Sequence, residues 1–106
     1  MDEQFMQKAI EQLQLHHSNP EFNIHDFGRH VGLSVAQLNR KIKALTGQSS
    51  SEFIRTYRLN RAAELIKKKS ATVAEIAYDV GFNNPSYFTE CFKQYFGQLP
   101  SGFHNS

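Results

Sequence analysis

Two sets of mostly polar side chains, 50 positions apart, are the groups in this chain best equipped to meet a partner chemically. The first is Ala36, Asn39, Arg40 and Lys43. On a helix these residues form one stripe, opposite Leu38, Ile42 and Leu45, whose i, i+4, i+7 spacing marks them as the expected buried face. A guanidinium such as that of Arg40 can bond both acceptors on the groove edge of guanine. An amide such as that of Asn39 can pair at two points with adenine, and the methyl of Ala36 can meet that of thymine. Lys43, one turn further on, suits a phosphate. The second set is Ser86, Thr89, Glu90 and Lys93, opposite an expected buried stripe of Phe88, Phe92 and Tyr95. Glu90 stands where Arg40 stands in the first set, and a carboxylate near phosphates costs affinity unless it accepts from a cytosine amino group. Lys93, Ser34, Arg55, Lys67 and Lys68 complete the expected phosphate contacts. Taken singly, either stripe also describes an ordinary solvated helix face, so the case turns on what carries them.

Charge supports an anionic partner. Residues 1–28 hold five acids and one lysine, whereas residues 29–69 hold ten Lys or Arg against Glu52 and Glu64, a local net charge of +8 within a chain of net +2. Local potential rather than net charge steers encounter, so a basic centre between acidic ends is the pattern that matters. Arg55, Arg58, Arg61 and the run Lys67 to Lys69 lie in this basic stretch. Internal pairing of Arg58 or Arg61 with Glu64 or Asp79 is the alternative use of those two arginines.

The elements that must position these groups are helical. Phe5, Met6, Ala9, Ile10 and Leu13 predict an amphipathic helix from Asp2 to about His17, ended by Asn19 and Pro20. A short helix is expected from Ile24 to Val31, stopped by Gly32. Ser34 with Gln37, Ser49 with Glu52 and Thr72 with Glu75 each have the spacing of a capping box, and open helices to Thr46, Lys68 and Val80. Asn84 followed by Pro85 caps one more, running to Phe96 before Gly97. A last turn is expected at Pro100. The stretch 50–68 turns Phe53, Ile54, Tyr57, Ala62, Leu65 and Ile66 inward and is about 27 Å long. No strand-like alternation is present, so the fold class is all-α with about seven helices. At 106 residues the expectation is one domain with one core.

Residues 24–47, IHDFGRHVGLSVAQLNRKIKALTG, and 73–97, VAEIAYDVGFNNPSYFTECFKQYFG, match each other once a single residue is inserted at the turn. Each reads as a short helix, a turn built on glycine and a longer helix, so two copies of a helix-turn-helix are predicted. Gly32 and Gly81 are expected to be left-handed, with Leu33 or Phe82 plugging the angle that follows. The organisation is then residues 1–49 as a first subdomain, 50–68 as a linker helix and 72–106 as a second subdomain. A helix of that length can set the two reading helices about one DNA turn, ~34 Å, apart.

Phe53, Arg58, Leu59, Ala62 and Leu65, followed by "IAYDVGF…SYFTECFKQYFG", resemble the signature of AraC-type (AraC/XylS) transcription regulators over nearly the whole chain. The wording "RKIKALTGQSSSEFIRTYRLNRAAELI" is similar to output domains of hybrid two-component sensors, in which sensor, histidine kinase, receiver and this module share one polypeptide. The resemblance implies sequence-specific binding of double-stranded promoter DNA by the stripes above, in a transcription activator of the cytoplasm. It also implies a fragment of a longer, dimeric protein, with the isolated domain monomeric. The alternative is DNA binding by the first helix-turn-helix, with the second contacting RNA polymerase.

Other chemistries find little support. Adjacent His16 and His17 point to different faces, and His25 and His30 lack the i, i+4 spacing of helical metal ligands, so no metal or other cofactor is expected. The serines at 49–51 have no His–Asp partners, and neither a glycine-rich phosphate loop nor paired catalytic carboxylates are found, so the chain is not expected to be an enzyme. Cys91, the single cysteine, forms no internal disulfide and is expected to be a buried small apolar residue, consistent with a reducing compartment. The aromatic group Tyr87, Phe88, Phe92, Tyr95 and Phe96 has core spacing rather than that of a base-stacking platform. No apolar run approaches a membrane span, no signal peptide is recognisable, and no membrane contact is expected.

Overall fold

A computed structural model describes residues 2–69 and 71–103. Six α-helices and one 3-10 turn account for its regular structure: α1 (Asp2–His16), α2 (Ile24–Val31), α3 (Val35–Thr46), α4 (Ser50–Lys68), α5 (Val73–Asp79), α6 (Pro85–Phe96) and the turn Pro100–Gly102. Among the described residues there is no strand. The caps explain why the helices start where they do. Ser34, Ser49 and Thr72 each accept from the backbone N–H three residues on, and Gln37, Glu52 and Glu75 return the bond. Each box satisfies two N–H groups that would otherwise lack partners. A fourth, Asn23 with Asp26, opens α2 and escapes the sequence pattern, because it has Asn and Asp where the usual box has Ser or Thr with Glu or Gln. Asn84 accepts from Ser86 and Tyr87 at the start of α6.

The repeat is a structural one. At the end of α2, Gly32 N–H donates to the Arg29 carbonyl and Leu33 N–H to that of Gly28. At the end of α5, Gly81 donates to Tyr78 and Phe82 to Ala77 in the same pattern. These paired bonds form a Schellman turn, which needs a left-handed residue at the glycine. Gly32 has φ 74° and Gly81 has φ 98°.

Two hydrophobic clusters form where one core was expected. Ala9, Leu13, Phe22, Phe27, Val31, Leu38, Ile42 and Ile54 make the first. Leu59, Ala62, Ala63, Ile66, Ile76, Ala77, Val80, Phe82, Phe88, Cys91, Phe92 and Phe103 make the second. The physical reason is the shared helix. The first turns of α4 supply Phe53, Ile54 and Tyr57 to one cluster, and its later turns supply Leu59 to Ile66 to the other. Each unit buries its own cluster, and the two clusters share no buried residue. Cys91 is buried in the second cluster, as expected. No described helix is long and apolar enough to cross a membrane.

Candidate nucleic-acid interface

Helices α3 and α6 occupy the same place in their units, and each buries one stripe while exposing another. Leu38, Ile42, Phe88 and Phe92 are fully buried. Leu45 and Tyr95 are not, at 38% and 47% exposed, so each expected buried stripe ends one turn early. Both sit in the last turn of their helices. Asn60 on α4 donates to the Tyr95 hydroxyl at 3.4 Å, so that ring leans on the linker from outside the core.

On α3, Ala36, Gln37, Arg40 and Lys43 are exposed and Asn39 is half-buried. Arg40 lines a shallow groove of about 350 Å³ with Leu33, Gln37 and Lys41. It takes part in no ion pair among the described residues. Lys41 turns elsewhere, lying 4.0 Å from Asp2 and 5.2 Å from the ring centre of Phe5 on α1. Asn39 has a local duty: its Oδ1 accepts from the Ser50 N–H at 3.1 Å. The two-point pairing with adenine expected for this amide would require that oxygen to leave, or share, the N-terminus of α4.

On α6, Ser86, Glu90 and Lys93 are exposed, whereas Thr89 is half-buried and donates its hydroxyl to the Pro85 carbonyl at 3.0 Å. Lys43 and Lys93 correspond closely, since the carbonyl of each accepts the N–H of the closing glycine, Gly47 or Gly97. Between α4 and α6 lies a polar cleft of about 340 Å³, lined by Gln48, Arg55, Tyr87, Glu90, Cys91 and Gln94 among others. The cleft brings Arg55 of the linker to the same place as Glu90 of α6. Ionisation of the Tyr87 phenol is raised, chiefly by the Cys91 thiol beside it and then by burial.

Lys67 and Lys68 end α4, and the Lys67 ammonium sits 5.5 Å over the Phe103 ring. They stand about 18 Å along the helix from Arg55. The arginines expected to pair with acids divide. Arg61 meets Glu64 at 3.5 Å. Arg58 meets neither acid; its guanidinium donates instead to the carbonyls of His17, Asn19 and Phe22, and burial lowers its ionisation from the ordinary value. Sequence spacing gave no signal for that bond set, because the partners lie on another element some forty residues away. Gln48, Tyr87 and Gln94 were likewise missed, since only the docking of α6 on α4 makes a cleft of them.

Residues 27–106 match the family described as helix-turn-helix domain. A histidine kinase, P4, from Formosa agariphila is 37% identical over 105 residues, which is 99% of this chain and 8% of the kinase. The chain belongs to the AraC-type helix-turn-helix family. The C-terminal domain of AraT, a response regulator from Geobacillus stearothermophilus, superimposes with a TM-score of 0.83 at 27% identity, covering 93% of this chain and 82% of that one. The DNA-binding domain of AdpA, a global transcriptional factor in complex with a target DNA, has the same fold, with a TM-score of 0.81 at 21% identity over 90% of this chain and 85% of that one. A kinase and a response regulator among such relatives fit an AraC-type output module of two-component signalling. In this AraC-type domain the two clusters are carried on one long helix, α4.

Proposed function

We propose that this AraC-type domain binds double-stranded promoter DNA by placing α3 and α6 in neighbouring major grooves, as the output module of a cytoplasmic two-component signalling protein that activates transcription. The observation that carries this reading is the repetition of one turn geometry, which leaves an exposed polar stripe on each second helix. Ala36, Asn39 and Arg40 would face bases in the first groove, and Ser86, Thr89 and Glu90 in the second. Lys43, Lys93, Ser34, Arg55, Lys67 and Lys68 would face phosphates. The histidine kinase relative supports the signalling context, and the AdpA domain of like fold is itself in complex with DNA. The whole protein would be a dimer, and the domain alone a monomer with no catalytic function.

The shape adds a constraint. The chain measures 38 Å along its longest axis, and successive major grooves on straight DNA lie ~34 Å apart. Two helices flanked by their own scaffolds cannot have axes that far apart within that length. We therefore expect the duplex to bend towards the protein, at a cost on the order of 1–6 kcal/mol.

Selection of bound duplexes from a random pool, followed by mobility shifts at two salt concentrations, tests the reading. Recovery of a site with two blocks of preferred bases and a steep loss of affinity with salt is expected. Absence of any selected sequence would overturn it. A second reading, in which the α6 unit contacts RNA polymerase, is favoured by Glu90 in the place of Arg40 and by the exposed rings of Tyr87 and Tyr95. It predicts a single block of preferred bases.

A further inference from the structure

Two segments of the chain converge on one carbonyl oxygen of a third, that of His17. From α4, Arg58 Nε donates to it at 3.0 Å, while a terminal nitrogen of the same guanidinium donates to Asn19 O at 3.0 Å and to Phe22 O at 3.4 Å. These three carbonyls belong to the turn between α1 and α2. From the second unit, Gly81 presses on the same point. A Cβ on Gly81 would lie 2.1 Å from His17 O and 2.7 Å from Arg58 Nε. Gly32, its counterpart in the first unit, has nothing within 4 Å of the equivalent position. The two turns share a conformation, yet only that of Gly81 also needs a bare Cα for contact between units.

This seam matters because little else joins the units. Their hydrophobic clusters have no residue in common, and extended helix packing occurs either within a unit or against α4. A single helix threading two cores fixes their distance but leaves their relative tilt to whatever touches across it. Arg58 is suited to that task, because a planar fork with fixed donor directions spans several carbonyls where an ammonium would satisfy fewer. No carboxylate pairs with it among the described residues, so its charge is balanced by peptide dipoles of the first unit, against which the second unit is seated.

We propose that Arg58, with Gly81 seated against it, is a positioning clamp that fixes the tilt between the two helix-turn-helix units and so determines which spacing of half-sites the domain accepts. The second half of this statement rests on the DNA-binding reading above; the first half does not.

The test therefore has two arms. In a Cys91→Ala background, Gln14→Cys on α1 and Ala74→Cys on α5 carry spin labels at exposed positions outside α3 and α6. Pulsed dipolar spectroscopy then reports the distance distribution between units in the absence of DNA. A narrow distribution that broadens in Arg58→Met, and broadens less in Arg58→Lys, is expected. An unchanged distribution in Arg58→Met protein that retains native helicity would overturn the clamp, and Arg58→Lys decides the matter if the methionine variant does not fold.

In the second arm, a duplex selected by the native protein is compared with duplexes carrying one base pair more or less between the two blocks. Discrimination between spacings should fall on the order of tenfold in the variant, the scale of one lost pairwise coupling, while affinity for an isolated half-site is retained. A uniform loss on all duplexes would mark Arg58 as merely stabilising and overturn the proposal. Failure of the native protein to select any duplex would defeat the DNA-binding reading, leaving the spin-label arm to decide the clamp.

Discussion

The side-chain oxygen of Asn39 on α3 accepts from the backbone N–H of Ser50, the first residue of α4, at 3.1 Å. A residue on the reading helix thus also caps the linker helix, and tilt of α3 and start of α4 become one variable. Asn39→Ala should lower stability by roughly 0.5–2 kcal/mol, the usual cost of losing a cap. Asn39→Asp should largely restore it, because the acceptor remains. Thermal unfolding of the two variants checks this; equal destabilisation by both would remove the capping role.

Arg40 is exposed and free of ion pairs among the described residues, so its replacement disturbs little in the fold. Arg40→Ala should cost about 1–3 kcal/mol on the preferred site and relax one base position. Lys43→Ala should instead weaken every duplex alike and reduce the salt slope by about one phosphate contact. Titrations on preferred and scrambled duplexes distinguish them.

Glu90 lines the same cleft as Arg55, and no ion pair joins the two among the described residues. If Glu90 reads a cytosine amino group, Glu90→Ala weakens the selected site and spares unrelated DNA. If it only repels, the substitution strengthens binding to every sequence. The ratio of specific to non-specific affinity separates these outcomes.

Glu52 and Glu75 have carboxyl ionisation held below the ordinary value of 4.5, first by the backbone hydrogen bonds at Ser49 and Thr72 respectively. A group ionising at lower pH in the folded chain contributes stability above its unfolded value, and that contribution is lost as pH falls through the folded value. Helicity should therefore decline in acid below about pH 4.5, the ordinary value for both groups. In the double variant Glu52→Gln, Glu75→Gln the decline should be shallower, since Gln can close the same box, as Gln37 does with Ser34. Circular dichroism against pH is the measurement.

Gly32 and Gly81 give a matched pair. Gly32→Ala should cost about 1–2 kcal/mol, the strain of a side chain in left-handed backbone with open space around it. Gly81→Ala meets the same strain and, in addition, His17 O at 2.1 Å, so it should be clearly the worse of the two in denaturant unfolding. Equal costs would mean that the units move apart freely.

Much of the molecule is written locally. Helix ends at Ser34, Ser49, Thr72 and Asn84 depend on side chains within three residues of the backbone groups they satisfy, so spacing alone reveals them. The duplication is legible for the same reason: each unit repeats its glycine, its following apolar residue and its aromatic or aliphatic stripe at fixed intervals. Basic residues between 29 and 69 are likewise visible as a run.

Contact between distant segments was decided only in three dimensions. Periodicity could not foresee that Leu45 and Tyr95 stay exposed at the ends of their stripes, or that α4 changes the core it serves midway along its length. Nor could it pair Arg58 with His17, Asn39 with Ser50, or Gly81 with a carbonyl on the far side of the linker. Local hydrogen bonding fixes which helices exist, but the seats they take are set by burying two separate clusters on one shared rod, and that optimisation involves every residue at once.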